Sequence, residues 1–156
     1  MVREHIRTSA LVCLVAFLAL PGCATVTLKP ADFSWSFESV LTADASGYVK
    51  GEPKTIAFNA NELFKAEKRE PGAAAGSVVR VIRNADGYYF VTSPGFKHVY
   101  IFSGTTGKLA LKKRVLIAEQ GMDKPFFNRR DQGVELVANG QTYLLGKKGI
   151  ISGGKK

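Results

Sequence analysis

Few residues in this chain have the types and spacing that covalent chemistry needs. Histidine occurs only as His5 and His98, and cysteine only as Cys13 and Cys23. A nucleophilic centre requires Ser or Cys, a base beside it, and a third group that holds the base in place. His98 is the one imidazole outside the extreme N-terminus. It falls in an apparent strand between Lys97 and Val99. Its acid could be any Asp or Glu of the chain, and spacing nominates none. The same holds for a carboxylate pair of the glycosidase kind. Structural zinc takes Cys and His in close sets, and no such set is present. Asn84-Ala85-Asp86-Gly87 offers oxygen ligands but lacks the further ligands of a calcium loop, so it reads as a turn. Phosphate-loop and dinucleotide fingerprints are also missing. No catalytic residue, cofactor or metal ligand is therefore assigned from the sequence.

What remains is binding chemistry. The chain carries 22 Lys plus Arg against 13 Asp plus Glu, a net charge of +9. The base is spread over Lys108, Lys112, Lys113 and Arg114, then Arg129 and Arg130, then Lys147, Lys148, Lys155 and Lys156. In a regular strand Lys112 and Arg114 face away from Leu111 and Lys113. The segment Phe126-Phe127-Asn128-Arg129-Arg130 is the best candidate for a partner-binding site. Two adjacent rings on extended backbone point to opposite faces, so one is free to anchor a partner with arginines at its rim. The competing reading is a loop that folds back and plugs the domain with both rings.

The N-terminus gives an address. Arg3, His5 and Arg7 precede an apolar run from Ala10 to Leu20, which Pro21, Gly22 and Cys23 follow. This is the layout of a secretory signal peptide. The run is too short for a spanning helix, which needs about 20 residues. Leu20-Pro21-Gly22-Cys23 resembles the lipobox of bacterial lipoproteins, with Pro21 where Ala or Ser is commoner. The resemblance covers residues 1–23 alone. It implies processing to Cys23 and acylation there, with two or three chains giving stable membrane attachment where one would be marginal. Ala24 rather than Asp after the cysteine implies the periplasmic face of the outer membrane if the source is Gram-negative. In that setting the partners expected of the basic surface are another envelope protein, anionic lipid or acidic glycan, rather than nucleic acid.

Residues 1–22 thus read as signal peptide, 23–32 as a lipidated tether, 33–152 as one β-rich domain and 153–156 as a frayed tail. Processing leaves about 134 residues, enough to bury roughly two thirds of the extended-chain surface without disulfides. Phe33, Trp35, Phe37, Ser39 and Leu41 alternate with Ser34, Ser36, Glu38 and Val40, as a strand with one buried face does. Short strands are expected at 48–50, 55–59, 78–82, 88–92 and 97–102. Two more follow around 109–111 and 115–118, and a hairpin joins 134–138 to 141–145 through Asn139-Gly140. Ile150 and Ile151 would add an edge strand. One short helix is expected over Asn61–Lys68, capped by Asn59 or Asn61. Gly121–Gly133 reads as a loop. The spacing of these pieces predicts an all-β antiparallel sandwich or small barrel built from short hairpins.

Three functional readings follow. The first is a non-enzymatic, lipid-anchored binding or scaffolding domain. The second is a small envelope hydrolase acting on glycan or peptide through His98. The third is a structural spacer.

Overall fold

A computed structural model describes residues 37–51 and 56–154. The expected signal segment, Cys23, the expected tether, Phe33 and Trp35 lie outside these residues. The described chain forms eleven strands and one short helix. In order they are β1 (Ser39–Thr42), β2 (Tyr48–Lys50), β3 (Ala57–Asn59), α1 (Asn61–Ala66), β4 (Val78–Arg83) and β5 (Tyr88–Thr92). Then come β6 (His98–Thr105), β7 (Lys108–Leu116), β8 (Phe126–Arg130), β9 (Gly133–Ala138), β10 (Gln141–Gly146) and β11 (Gly149–Gly153).

All the pairings are antiparallel, and the strands make an all-β sandwich. One sheet has the order β1-β4-β5-β6-β7, the second β11-β10-β9-β8, and β2 and β3 form a small hairpin of their own. The register of the first sheet puts Val81, Val91, Tyr100 and Arg114 in one row and Ile82, Phe90, Ile101 and Lys113 in the next. Successive rows point to opposite faces. The row with Phe90 faces the core shared with Phe127, Leu136 and Leu145 of the second sheet. The row with Val91 is covered by α1 and the β2–β3 hairpin. The central strands are therefore buried on both sides, and they read as apolar runs rather than clean alternation.

Three local expectations change. Residues 109–111 and 115–116 belong to one long strand, β7, not two. Its register against β6 shifts between Ile101 and Phe102, so Ile101 pairs with Lys113 while Phe102 pairs with Leu111. Lys112 is the extra residue of a bulge. The bulge brings Leu111 onto the same face as Arg114, which a regular strand would forbid. Within the expected 121–133 loop, Phe126–Arg130 is strand β8. Its polar composition suits an edge, with Phe127 opposite Leu136 and Asn128 opposite Glu135. Phe37 was expected on a buried face but is 80% exposed, because β1 begins only at Ser39.

The Asn139-Gly140 hairpin forms as the sequence predicts. Both residues have positive φ, 52° and 71°, as a type I′ turn demands. Asn139 also ties the hairpin tip to the neighbouring loop. Its Oδ1 accepts the Asp123 N–H at 2.6 Å, and its Nδ2 donates to the Gly121 carbonyl at 3.1 Å.

Glu38 closes one margin of the sandwich. Its Oε1 accepts the Phe127 N–H of β8 at 2.9 Å, and its Oε2 accepts from Arg80 of β4 at 2.6 Å. Burial raises the Glu38 pKa above the ordinary glutamate value of 4.5, outweighing the Phe127 N–H and the Arg80 charge, which both lower it. The folded state thus holds this proton more tightly than the unfolded chain. The contribution is complete below the ordinary value and is lost as pH rises through the raised one. Glu38→Ala is expected to cost about 2 kcal/mol, since the Phe127 N–H and Arg80 lose their acceptor. Glu38→Gln keeps an acceptor, removes the buried charge and flattens that pH-dependent decline. Urea unfolding of both variants at several mildly acidic pH values checks the contrast.

Candidate functional site

The helix that builds the site is too short to stand alone. A six-residue segment forms few hydrogen bonds for the entropy of nucleating it. The N-cap is Ala60 and carries no side-chain cap, in place of the expected Asn59 or Asn61; Asn59, one residue earlier, accepts the Asn61 N–H through Oδ1 at 2.9 Å. Leu63 and Phe64 are buried beneath the helix. The Phe64 ring meets Phe96 edge to face, with centroids 4.8 Å apart, a favourable aromatic geometry. Helix α1 stops at Ala66, short of the expected Lys68. The chain turns at Lys68 (φ 55°), and the Arg69 guanidinium then donates to the Gly95 carbonyl.

The loop that receives the helix is itself held from below. Gly95 N–H donates to the Met122 carbonyl and Met122 N–H to the Phe96 carbonyl, both at 2.8 Å. Gly121 makes this approach possible. It has φ 90°, and a Cβ there would lie 2.7 Å from the Gly95 oxygen, so a side chain is excluded twice over.

Glu67, at the end of α1, is where these parts meet. Its side chain is 1% exposed. Oε1 lies 2.8 Å from His98 Nδ1 and accepts from the Tyr100 hydroxyl at 2.8 Å. Oε2 accepts the Lys97 N–H at 2.8 Å. A buried carboxylate is tolerated when its acceptor sites are filled in this way. Arg114, opposite Tyr100 on β7, also hydrogen-bonds the phenol. Burial first, then the hydrogen bond and charge of Glu67, push the Tyr100 pKa far above its usual 10, against the pull of Arg114. The phenol therefore stays a donor across the physiological range.

The structure thus gives His98 an acid that spacing did not reveal. An imidazole oriented at Nδ1 by a buried carboxylate has the positioning half of a catalytic triad. Two hydroxyls upstream of it are used elsewhere: Thr92 Oγ1 donates to the His98 carbonyl and Ser93 Oγ to the Val78 carbonyl. Glu67 joins a helix end, a loop N–H and two strand side chains, which is the arrangement of a staple. Among the described residues, no three His, Cys, Asp or Glu side chains gather as a metal site would require.

Beside this staple lies an open groove of about 340 Å³. Its floor is the helix-covered face of the first sheet, with Val91, Tyr100, Phe102, Leu109 and Leu111; Phe58, Leu63 and Ala66 wall it. Leu111 is 54% exposed there. Sequence reasoning missed the groove because the bulge at Lys112 is what brings Leu111 to this face.

The chain matches no protein-family model, no curated protein and no solved structure.

The Phe126–Arg130 segment lies elsewhere, on edge strand β8. Its rings split as extended backbone requires: Phe126 is 40% exposed and Phe127 only 3%. Phe127 is core and cannot meet a partner. Arg130 is held by Glu135 through Nη2 at 2.7 Å and Nε at 3.1 Å, and Asn128 donates to the same carboxylate. Arg129 sits opposite Val134 and is only partly exposed. The segment therefore presents Phe126 and a paired Arg130.

Removing the Glu67 carboxylate strands three donors. Glu67→Ala is expected to cost about 3 kcal/mol, in the range for breaking a buried charged network, whereas Tyr100→Phe should cost only about 1 kcal/mol, a single hydrogen bond. Denaturant midpoints at constant m-value read both. Equal, small losses would show that the carboxylate is not the staple described.

Proposed function

We propose that this chain is a lipid-anchored envelope protein, held at Cys23, whose β-domain binds a partner rather than transforming one. The observation that carries the binding half is the groove beside α1. Leu111 stays 54% exposed there and Phe102 and Leu109 are only partly buried, although Val91 and Tyr100 on the same sheet face are buried. Open apolar concavities with a few polar groups at the rim are where ligands and apolar segments bind. Asn59 and Glu62 supply that rim. The anchoring half rests on the lipobox-like sequence alone. An anchor concentrates the groove near one membrane and so favours weak partners by proximity.

A second reading has a specific observation in its favour. His98 stands on Glu67 with its side chain 18% exposed, so an envelope hydrolase using this imidazole as base is the alternative. It needs a substrate or water nucleophile brought to the ring from outside the domain.

Two measurements test the main reading. The intact mass of protein extracted from membranes of the native host should correspond to residues 23–156 plus acylglyceryl groups. A soluble, unmodified product cut elsewhere removes the anchor. For the groove, the fluorescent apolar probe 1-N-phenylnaphthylamine should brighten on binding, and Leu111→Asp should weaken it about tenfold, the effect of replacing a contacting apolar side chain by a charge. Leu111 is exposed, so the thermal midpoint should hold. No brightening, or brightening indifferent to Leu111→Asp, sinks the binding half. Hydrolysis of a chromogenic ester or glycoside that His98→Gln abolishes would favour the alternative.

A further inference from the structure

The two sheets meet at a second margin, where β7 comes against β11 without joining it in a hydrogen-bonded ladder. The contact is close at Gly149, where a Cβ would lie 3.8 Å from a Val115 methyl. This brings the Lys147-Lys148 turn, between β10 and β11, beside a strand that carries Lys112 and Lys113. All four lysines are exposed. None of them takes part in the ion pairs Arg80–Glu38, His98–Glu67 or Arg130–Glu135. Neither strand nor the turn contains an acid. At the same margin β11 leaves large aliphatic side chains in solvent: Ile150 is 47% exposed and Ile151 55%.

Lysine at a strand edge can serve simply to prevent edge-to-edge pairing. That role does not account for exposed isoleucines beside the lysines. Protein interfaces do not account for the mixture either, since their centres are depleted in Lys. A surface that combines Lys with exposed aliphatics suits the boundary between water and an anionic bilayer. There the ammonium groups meet headgroup charge and the aliphatic tips reach the acyl boundary. We propose that the β7–β11 margin is a membrane-contact surface for anionic phospholipid, through Lys112, Lys113, Lys147 and Lys148 with Ile150 and Ile151. It rests on the envelope location argued above and adds to it an orientation: this margin faces the bilayer.

The test removes the anchor so that the two ideas fail separately. The full chain carrying Cys23→Ser is sedimented with vesicles of phosphatidylcholine, or of phosphatidylcholine with one third phosphatidylglycerol. The N-terminal segment, with its basic start, contributes in every case, so the lysine variants isolate the margin's charge. Retention should be greater on the anionic vesicles, fall with added salt, and drop about tenfold when Lys112, Lys113, Lys147 and Lys148 are changed to Glu, since each basic residue near such a surface contributes to the attraction. Ile150→Ser should weaken retention on the anionic vesicles at an unchanged thermal midpoint. If the four reversals unfold the domain, the milder Lys147→Gln, Lys148→Gln pair gives the same reading. Equal retention on the two vesicle types, or retention that survives loss of the lysine charges, overturns the proposal. The intact-mass experiment on Cys23 is independent of either result.

Discussion

The Glu67 carboxylate is the constraint on which the architecture around α1 depends. A two-turn helix has no stability of its own, and a carboxylate with 1% exposure is costly unless its oxygens are filled. Each problem resolves the other. The helix places Glu67 over β6, and the Lys97 N–H, His98 and Tyr100 satisfy it there. Phe64 against Phe96 supplies the apolar half of the same junction. The loop beneath is kept in place by Gly121 and Met122, so the staple reaches from the helix through β6 to the loop leading into the second sheet.

A similar economy governs the sandwich margins. On one side, Glu38 spans from β8 to β4 and occupies groups that an open edge would expose. On the other, β7 and β11 approach without pairing and leave lysines and aliphatic tips in solvent. The two margins differ physically: one is sealed by a buried charge, the other remains open to whatever lies outside. The bulge at Lys112 links this open side to the groove, because it turns Leu111 towards α1 while its neighbours stay at the edge.

These features make the proposed function a matter of surfaces. The polar network around His98 is spent on holding the fold, whereas the groove and the basic margin are unspent. An anchor at Cys23 would set both close to a membrane, where weak contacts gain from proximity.

The β class, most strand positions, the short helix after Asn59 and the Asn139-Gly140 turn were legible in the sequence, whereas the helix cap was not. Each depends on local periodicity or on backbone conformations that few residue types adopt. The signal-like segment and the lipobox-like cysteine are contiguous patterns of the same kind, and they carry the proposed anchor. The partner of His98 was not, because Glu67 is distant in the chain and only the docking of α1 on β6 brings them together. Nor was the fate of Phe127, since β8 is a strand only when β9 pairs with it. Leu111 needed a bulge, which shifts every later side chain by one face and leaves no local signature. Sequence by itself determined the elements and the expected address. Tertiary structure decided which charges are buried and which surfaces stay open, because burial is a property of neighbours remote in the chain.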